Sequence, residues 1–153
     1  MQDLLVAIER LGPVAALRSS FVAYPLVNAA HVLAIGALVT TTILMDLRIL
    51  GAFAIERAAF VSLMRRVAVG AFALAVLTGL ALFSIRASEY APNPAFQAKL
   101  ALLAAAGANL AIFSRYATPG PDEAYPAAAR MSAAASIALW TGVLVAGRFI
   151  GFV

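Results

Sequence analysis

The chain has no cysteine, one histidine and one lysine in 153 residues, and charged residues make up only 12% of it. Without cysteine there is no disulfide, no thiolate zinc site and no iron–sulfur cluster. A single histidine also excludes a mononuclear metal site built from several imidazoles of one subunit. The charge content is about half that of an average soluble domain, while hydrophobic residues reach 64%. A soluble domain of this length lacks the polar surface to cover such a core, so the bilayer is the solvent that fits. Basic patches interleaved with aromatics are missing too. The net charge of +4 therefore speaks for membrane anchoring and against nucleic acid as a partner. No cleavable signal peptide is expected, because Asp3, Glu9, Arg10 and Arg18 interrupt residues 1–20.

What the chain does have is four long apolar runs. A spanning helix needs about 20 mainly apolar residues. Residues 24–44, 67–85, 94–113 and 128–147 each qualify. Pro25 and Pro94 stand at helix-start positions, and Asp46 with Arg48, Arg86, Arg115 and Arg148 mark the far ends. The reading is an all-α, single-domain membrane protein over residues 1–153, a four-transmembrane-helix bundle. Residues 2–18 carry Leu4, Leu5, Ile8, Leu11, Val14 and Leu17 at helical spacing, with a break at Gly12-Pro13. They predict an N-terminal amphipathic helix lying in the interface. Residues 51–64 predict a second surface helix with Phe53, Phe60 and Leu63 toward lipid, and residues 118–126 a plain loop.

The arginines weakly encode an orientation. Arg48, Arg57, Arg65, Arg66, Arg115 and Arg130 fall on one side. Arg10, Arg18, Arg86 and Arg148 fall on the other, with Lys99 just inside the membrane. The excess places both termini outside the cytoplasm, in the periplasm if the membrane is a bacterial inner membrane. A faint repeat accompanies this. Thr78-Gly79 precedes Arg86 as Thr141-Gly142 precedes Arg148, and His31 follows Pro25 much as Lys99 follows Pro94. The chain reads as two helical hairpins related by an axis along the membrane normal.

Helices 1 and 3 run in the same direction. At 1.5 Å per residue, His31 lies ~9 Å below Pro25 and Lys99 ~7.5 Å below Pro94. The two share a leaflet and a depth. Asn28 is one turn above His31, and Arg86 and Arg148 end their helices on the same side. An ionisable group in hydrocarbon needs a partner or a task. Three tasks fit: an axial haem ligand with arginines for the propionates, a copper ligand, or a proton carrier. Met45, Met64 and Met131 fall at the opposite side. A second axial ligand would come from Lys99, water or His31 of another copy. The bland alternative is structural. His31 then hydrogen-bonds Asn28, Thr78 or a backbone carbonyl, and Lys99 extends its amine to the headgroups.

Other polar residues read as packing. Thr40, Thr41 and Thr42 bond their own backbone, Asn109 bonds a neighbouring helix, and Asp46, Arg48, Glu56 and Arg57 are solvated helix-end charges. The small residues at 104–108 and 133–135 allow close helix approach, in a tight bundle, a homo-oligomer or a contact with a partner membrane subunit.

Three segments carry a resemblance: HVLAIGALVTTTILMDLRIL, RRVAVGAFALAVLTGL and QAKLALLAAAGANLAIF. Over residues 24–150 the chain resembles the copper-resistance D-type family and the haem-binding, four-helix type of membrane protoporphyrinogen oxidase. It looks closest overall to an uncharacterised family of small bacterial integral membrane proteins. The oxidase resemblance implies haem b held by His31, with Lys99 as its companion. Both groups usually carry a tryptophan shortly after the histidine and further histidines elsewhere. Here the corresponding stretch is Leu38-Val39-Thr40, and no second histidine exists. The expected cofactor-binding residues are thus His31, Lys99, Asn28, Arg86 and Arg148, with His31 the metal ligand. The alternative is an assembly subunit with no cofactor.

Overall fold

The computed structural model describes residues 2–116 and 124–152. Residues 118–123 of the expected loop lie outside them, and residues 124–126 are non-helical. Among the described residues there are helices and no strands. In chain order they are α1 (Gln2–Glu9), α2 (Gly12–Ser19), α3 (Ala23–Leu50), α4 (Arg57–Ile85), α5 (Ala87–Tyr90), α6 (Pro94–Phe113) and α7 (Ala127–Phe149). The four long ones are all apolar enough to cross a membrane. Their lengths are ~42, ~43, ~30 and ~34 Å, against about 30 Å of hydrocarbon.

α3 and α4 exceed the apolar runs because nothing in the sequence stops them earlier. α3 continues past Asp46 and Arg48 and ends at Gly51, whose left-handed φ of +88° closes the last turn onto Arg48 and Leu47 carbonyls. α4 starts where the Glu56 carboxylate accepts from the amides of Ala58 and Ala59, both at 2.7 Å. The expected surface helix over 51–64 is therefore not a separate element. Residues 51–56 are non-helical, and from 57 onward the segment is the opening of α4. Phe53 packs edge-on against Phe60 across that junction, with 5.6 Å between ring centroids.

The long helices pack as a row, α4–α3–α7–α6. Polar side chains meet across each seam of the row. His31 of α3 meets Thr78 of α4, Asp46 of α3 meets Ser136 of α7, and Asn109 of α6 meets Ser132 of α7. Polar ties matter here because lipid offers no hydrophobic drive for helices to associate. The outer helices α4 and α6 approach through rings rather than backbones. Phe83 stacks on Phe96 at 5.2 Å, and Tyr90 of α5 lies beside Phe96. Leu38, Ala68 and Ala71 form the buried core at the α3–α4 seam, with Met45 and Trp140 packed on it.

The leading segment forms two helices, parted at residues 10–11, just ahead of the expected break at Gly12-Pro13, and neither has a buried residue. They lie against α4 and α5. The Glu9 carboxylate accepts from both the amide and the hydroxyl of Ser88, each at 2.7 Å. The hydroxyl bond first, then the amide bond, hold the Glu9 carboxyl below its ordinary range, with Arg18 adding a little. A lowered folded-state value means that the tether is intact above the ordinary carboxylate range and is lost as pH falls through the lowered value. Amide exchange in residues 2–19 should therefore rise on acidification. Glu9→Gln should raise it already at pH 7 and flatten its pH dependence. Unchanged exchange in that variant would remove Glu9 as the tether.

Candidate intramembrane histidine site

His31 lies on the third turn of α3 and is half-buried against α4. Its Nδ1 is 2.8 Å from the Thr78 hydroxyl oxygen. That hydroxyl also lies 2.6 Å from the Leu74 carbonyl oxygen one turn back. A carbonyl only accepts, so the single hydroxyl proton goes to Leu74. Thr78 is left to accept from the imidazole, and Nδ1 carries the ring proton. Nε2 is then a bare lone pair. One threonine thus fixes the tautomer, the usual role of the group behind a histidine ligand.

Gly79 sets the ring's position. A Cβ at Gly79 would stand 3.0 Å from His31 Cε1 and within 4 Å of both ring nitrogens. The Thr78-Gly79 pair is therefore a receptor for one imidazole: the threonine aims it and the glycine makes room. The pair was legible in the sequence only as half of a repeat. In the other hairpin Gly142 meets the methyls of Leu102 instead, with Cδ1 3.2 Å from where a Cβ would sit.

Lys99 is half-buried on α6. Its Cδ, Cε and Nζ run along Gly147 of α7, 3.7 to 3.8 Å from the position of a Cβ there. The amine reaches toward the C-terminal end of α7, where the helix dipole favours a cation. It makes no hydrogen bond among the described residues, and it lies within electrostatic reach of His31. The structure thus brings His31 and Lys99 into one neighbourhood without bonding them.

The other three expected residues stand elsewhere. The Asn28 side chain is exposed and makes no hydrogen bond among the described residues. Arg86 is exposed and pairs with Glu89 at 3.3 Å. Arg148 lies over the Phe152 ring, 4.8 Å from its centroid. Both arginines are at the membrane face nearest His31, and Arg86 lines a cleft there with Glu89, Tyr90, Asn93, Ile150, Gly151 and Phe152.

The opposite half of the bundle departs from expectation at one residue. Asp46 is not a solvated helix-end charge. It is 7% exposed and turned into the α3–α7 seam. Arg48 is two positions on, which is a different helix face, and its Nε donates instead to the Ile55 carbonyl at 2.8 Å. The signal was available in spacing, since Asp46 falls four residues after Thr42 and eight after Leu38 on the buried stripe. Asn109 does bond a neighbouring helix: its Nδ2 donates to Ser132 O at 3.0 Å and its Oδ1 accepts from the Ser132 hydroxyl at 2.9 Å.

Among the described residues, no group of three or more metal-ligating side chains of the His, Cys, Asp or Glu kind comes together. No family model matches the chain, and neither a curated protein nor a solved structure does. The fold nonetheless defines the class: a multi-pass membrane protein with a four-helix core.

Proposed function

We propose that this chain is a bacterial inner-membrane protein, both termini periplasmic, that binds haem b through His31 as a redox component. The observation that carries the reading is the 2.8 Å contact of Nδ1 with a Thr78 hydroxyl that itself lies 2.6 Å from Leu74 O, an arrangement that favours the proton on Nδ1 and a lone pair on Nε2. That is the donor an axial haem ligand needs, and bound haem supplies one-electron chemistry. His31 would hold the iron, and Arg86 and Arg148 stand at the membrane face where propionates would be paired. Lys99, water or His31 of a second copy would supply the iron's remaining ligand. The resemblance to the haem-binding oxidase type supports the same reading. Copper handling is less favoured, because a lone imidazole without thiolate or nearby thioether is a poor copper site.

Detergent-purified protein should show a Soret band that His31→Ala abolishes. Thr78→Val, which frees the tautomer, should weaken haem binding about 10- to 100-fold. A colourless protein that haemin cannot reconstitute would sink the reading. A second reading, an assembly subunit with no cofactor, is favoured by one observation. Ala101, Ala104, Ala108 and Ala111 of α6 are exposed on the row's outer helix. It expects a homo-oligomer whose size His31→Ala leaves unchanged.

A further inference from the structure

Asp46 is the one acidic residue in the four long helices. Its Oδ2 is buried without a hydrogen-bond partner. Across the seam the carboxyl group meets the hydroxyl of Ser136, which is itself 8% exposed. Among the described side chains of the neighbouring elements, none supplies a counter-charge. On α3 itself, Arg48 is turned to the Ile55 carbonyl and Thr42 donates to Leu38 O. On α4, Arg65 and Arg66 are exposed, and on α7 so is Arg130. Ser132 and Asn109 are committed to each other. Among the described residues the ion pair that forms is Arg86–Glu89, at the other end of the bundle.

An ionised carboxylate so placed carries a desolvation penalty of several kcal/mol with nothing to offset it. A bound cation would offset it, but a metal ion of the calcium or magnesium kind wants about six or more oxygens. Among the described residues no group of three His, Cys, Asp or Glu side chains forms to hold one. A proton needs one oxygen. We propose that Asp46 is an intramembrane proton-binding site, its carboxylic O–H donating to Ser136 Oγ. On release the proton passes to water and leaves the carboxylate behind. That anion needs water, so proton release and opening of the α3–α7 seam are one event. Exchange runs to the side of residues 51–56. Toward His31, ~22 Å away along α3, Leu38, Ala68 and Ala71 pack together with Trp140 against them.

The test is infrared spectroscopy of the full chain in lipid nanodiscs. At pH 7 a protonated-carboxyl C=O band should be present, and Asp46→Asn should lose it entirely. The other described acids, Asp3, Glu9, Glu56 and Glu89, lie outside the long helices. Ser136→Ala should keep the band but move it to the frequency of an acid free of hydrogen bonding, so the test stands even if Asp46→Asn fails to fold. Titration to high pH should remove the band and raise amide exchange over residues 129–136 together. Absence of the band in the wild-type chain at pH 7, or its survival in Asp46→Asn, overturns the proposal. So does loss of the band with no change in exchange.

Discussion

Gly79→Ala should cost about 2–4 kcal/mol of stability and remove any ligand bound through His31. The added Cβ would stand 3.0 Å from His31 Cε1, tighter than nine in ten real Cβ contacts, so the ring would have to give way. The ring has no easy retreat, because its Nδ1 is tied to Thr78 on the adjacent residue of the same helix. Relief means breaking that bond, about 0.6–2 kcal/mol in a membrane, on top of about 1–3 kcal/mol for overpacking. Two other glycines serve as controls. Gly142→Ala meets only a Leu102 methyl, 3.2 Å away, which swings aside at less than about 1 kcal/mol. Gly107 has nothing within 4 Å, so alanine there gains helix propensity, about 1 kcal/mol at most. Unfolding in detergent should rank Gly79→Ala far below the other two. Equal stability of the three variants would mean that His31 is not seated by Gly79.

The four long helices are legible in the sequence because hydrocarbon demands long apolar runs and the chain contains four of them. Their ends are not, for two physical reasons. A helix does not stop where hydropathy falls: α4 begins at its Glu56 cap, well before Val67, and carries Arg65 and Arg66 within it. A charged residue is also not always at the surface. Asp46 looked like a helix-end charge beside Arg48, yet its register on the stripe of Leu38 and Thr42 turns it inward. His31 and Lys99 stood out as singletons in an apolar chain, and their shared depth followed from helix rise alone. What depth cannot supply is azimuth. Thr78 was one of several candidate partners for His31, and only the packing of α3 on α4 selects it. The same packing leaves Asn28, three residues from His31, on an exposed face.

Ala133→Leu should destabilise the bundle by about 3 kcal/mol, while Ala134→Leu should change stability by no more than about 0.5 kcal/mol. The two substitutions add the same atoms one residue apart. The difference is where α7 sits. It occupies the interior of the row, between α3 and α6. Its buried stripe is built of small residues: Ala129 at 0%, Ala133 at 1%, and Ser132 and Ser136 at 8%. Small side chains spaced four apart let helices close to van der Waals contact, the main source of helix association in lipid. Leucine at 133 holds the seams apart and weakens every contact along them. Ala134 is exposed and gains only more lipid-facing surface. The opening also reaches the polar tie, since Ala133 is one turn from Ser136 on the face that meets Asp46. A widened seam admits water to the buried carboxyl, so Ala133→Leu should also ease ionisation of Asp46. Unfolding in detergent measures the first effect, and infrared titration of the protonated-carboxyl band measures the second. If Ala133→Leu and Ala134→Leu unfold alike, α7 is not the packed interior helix of the row.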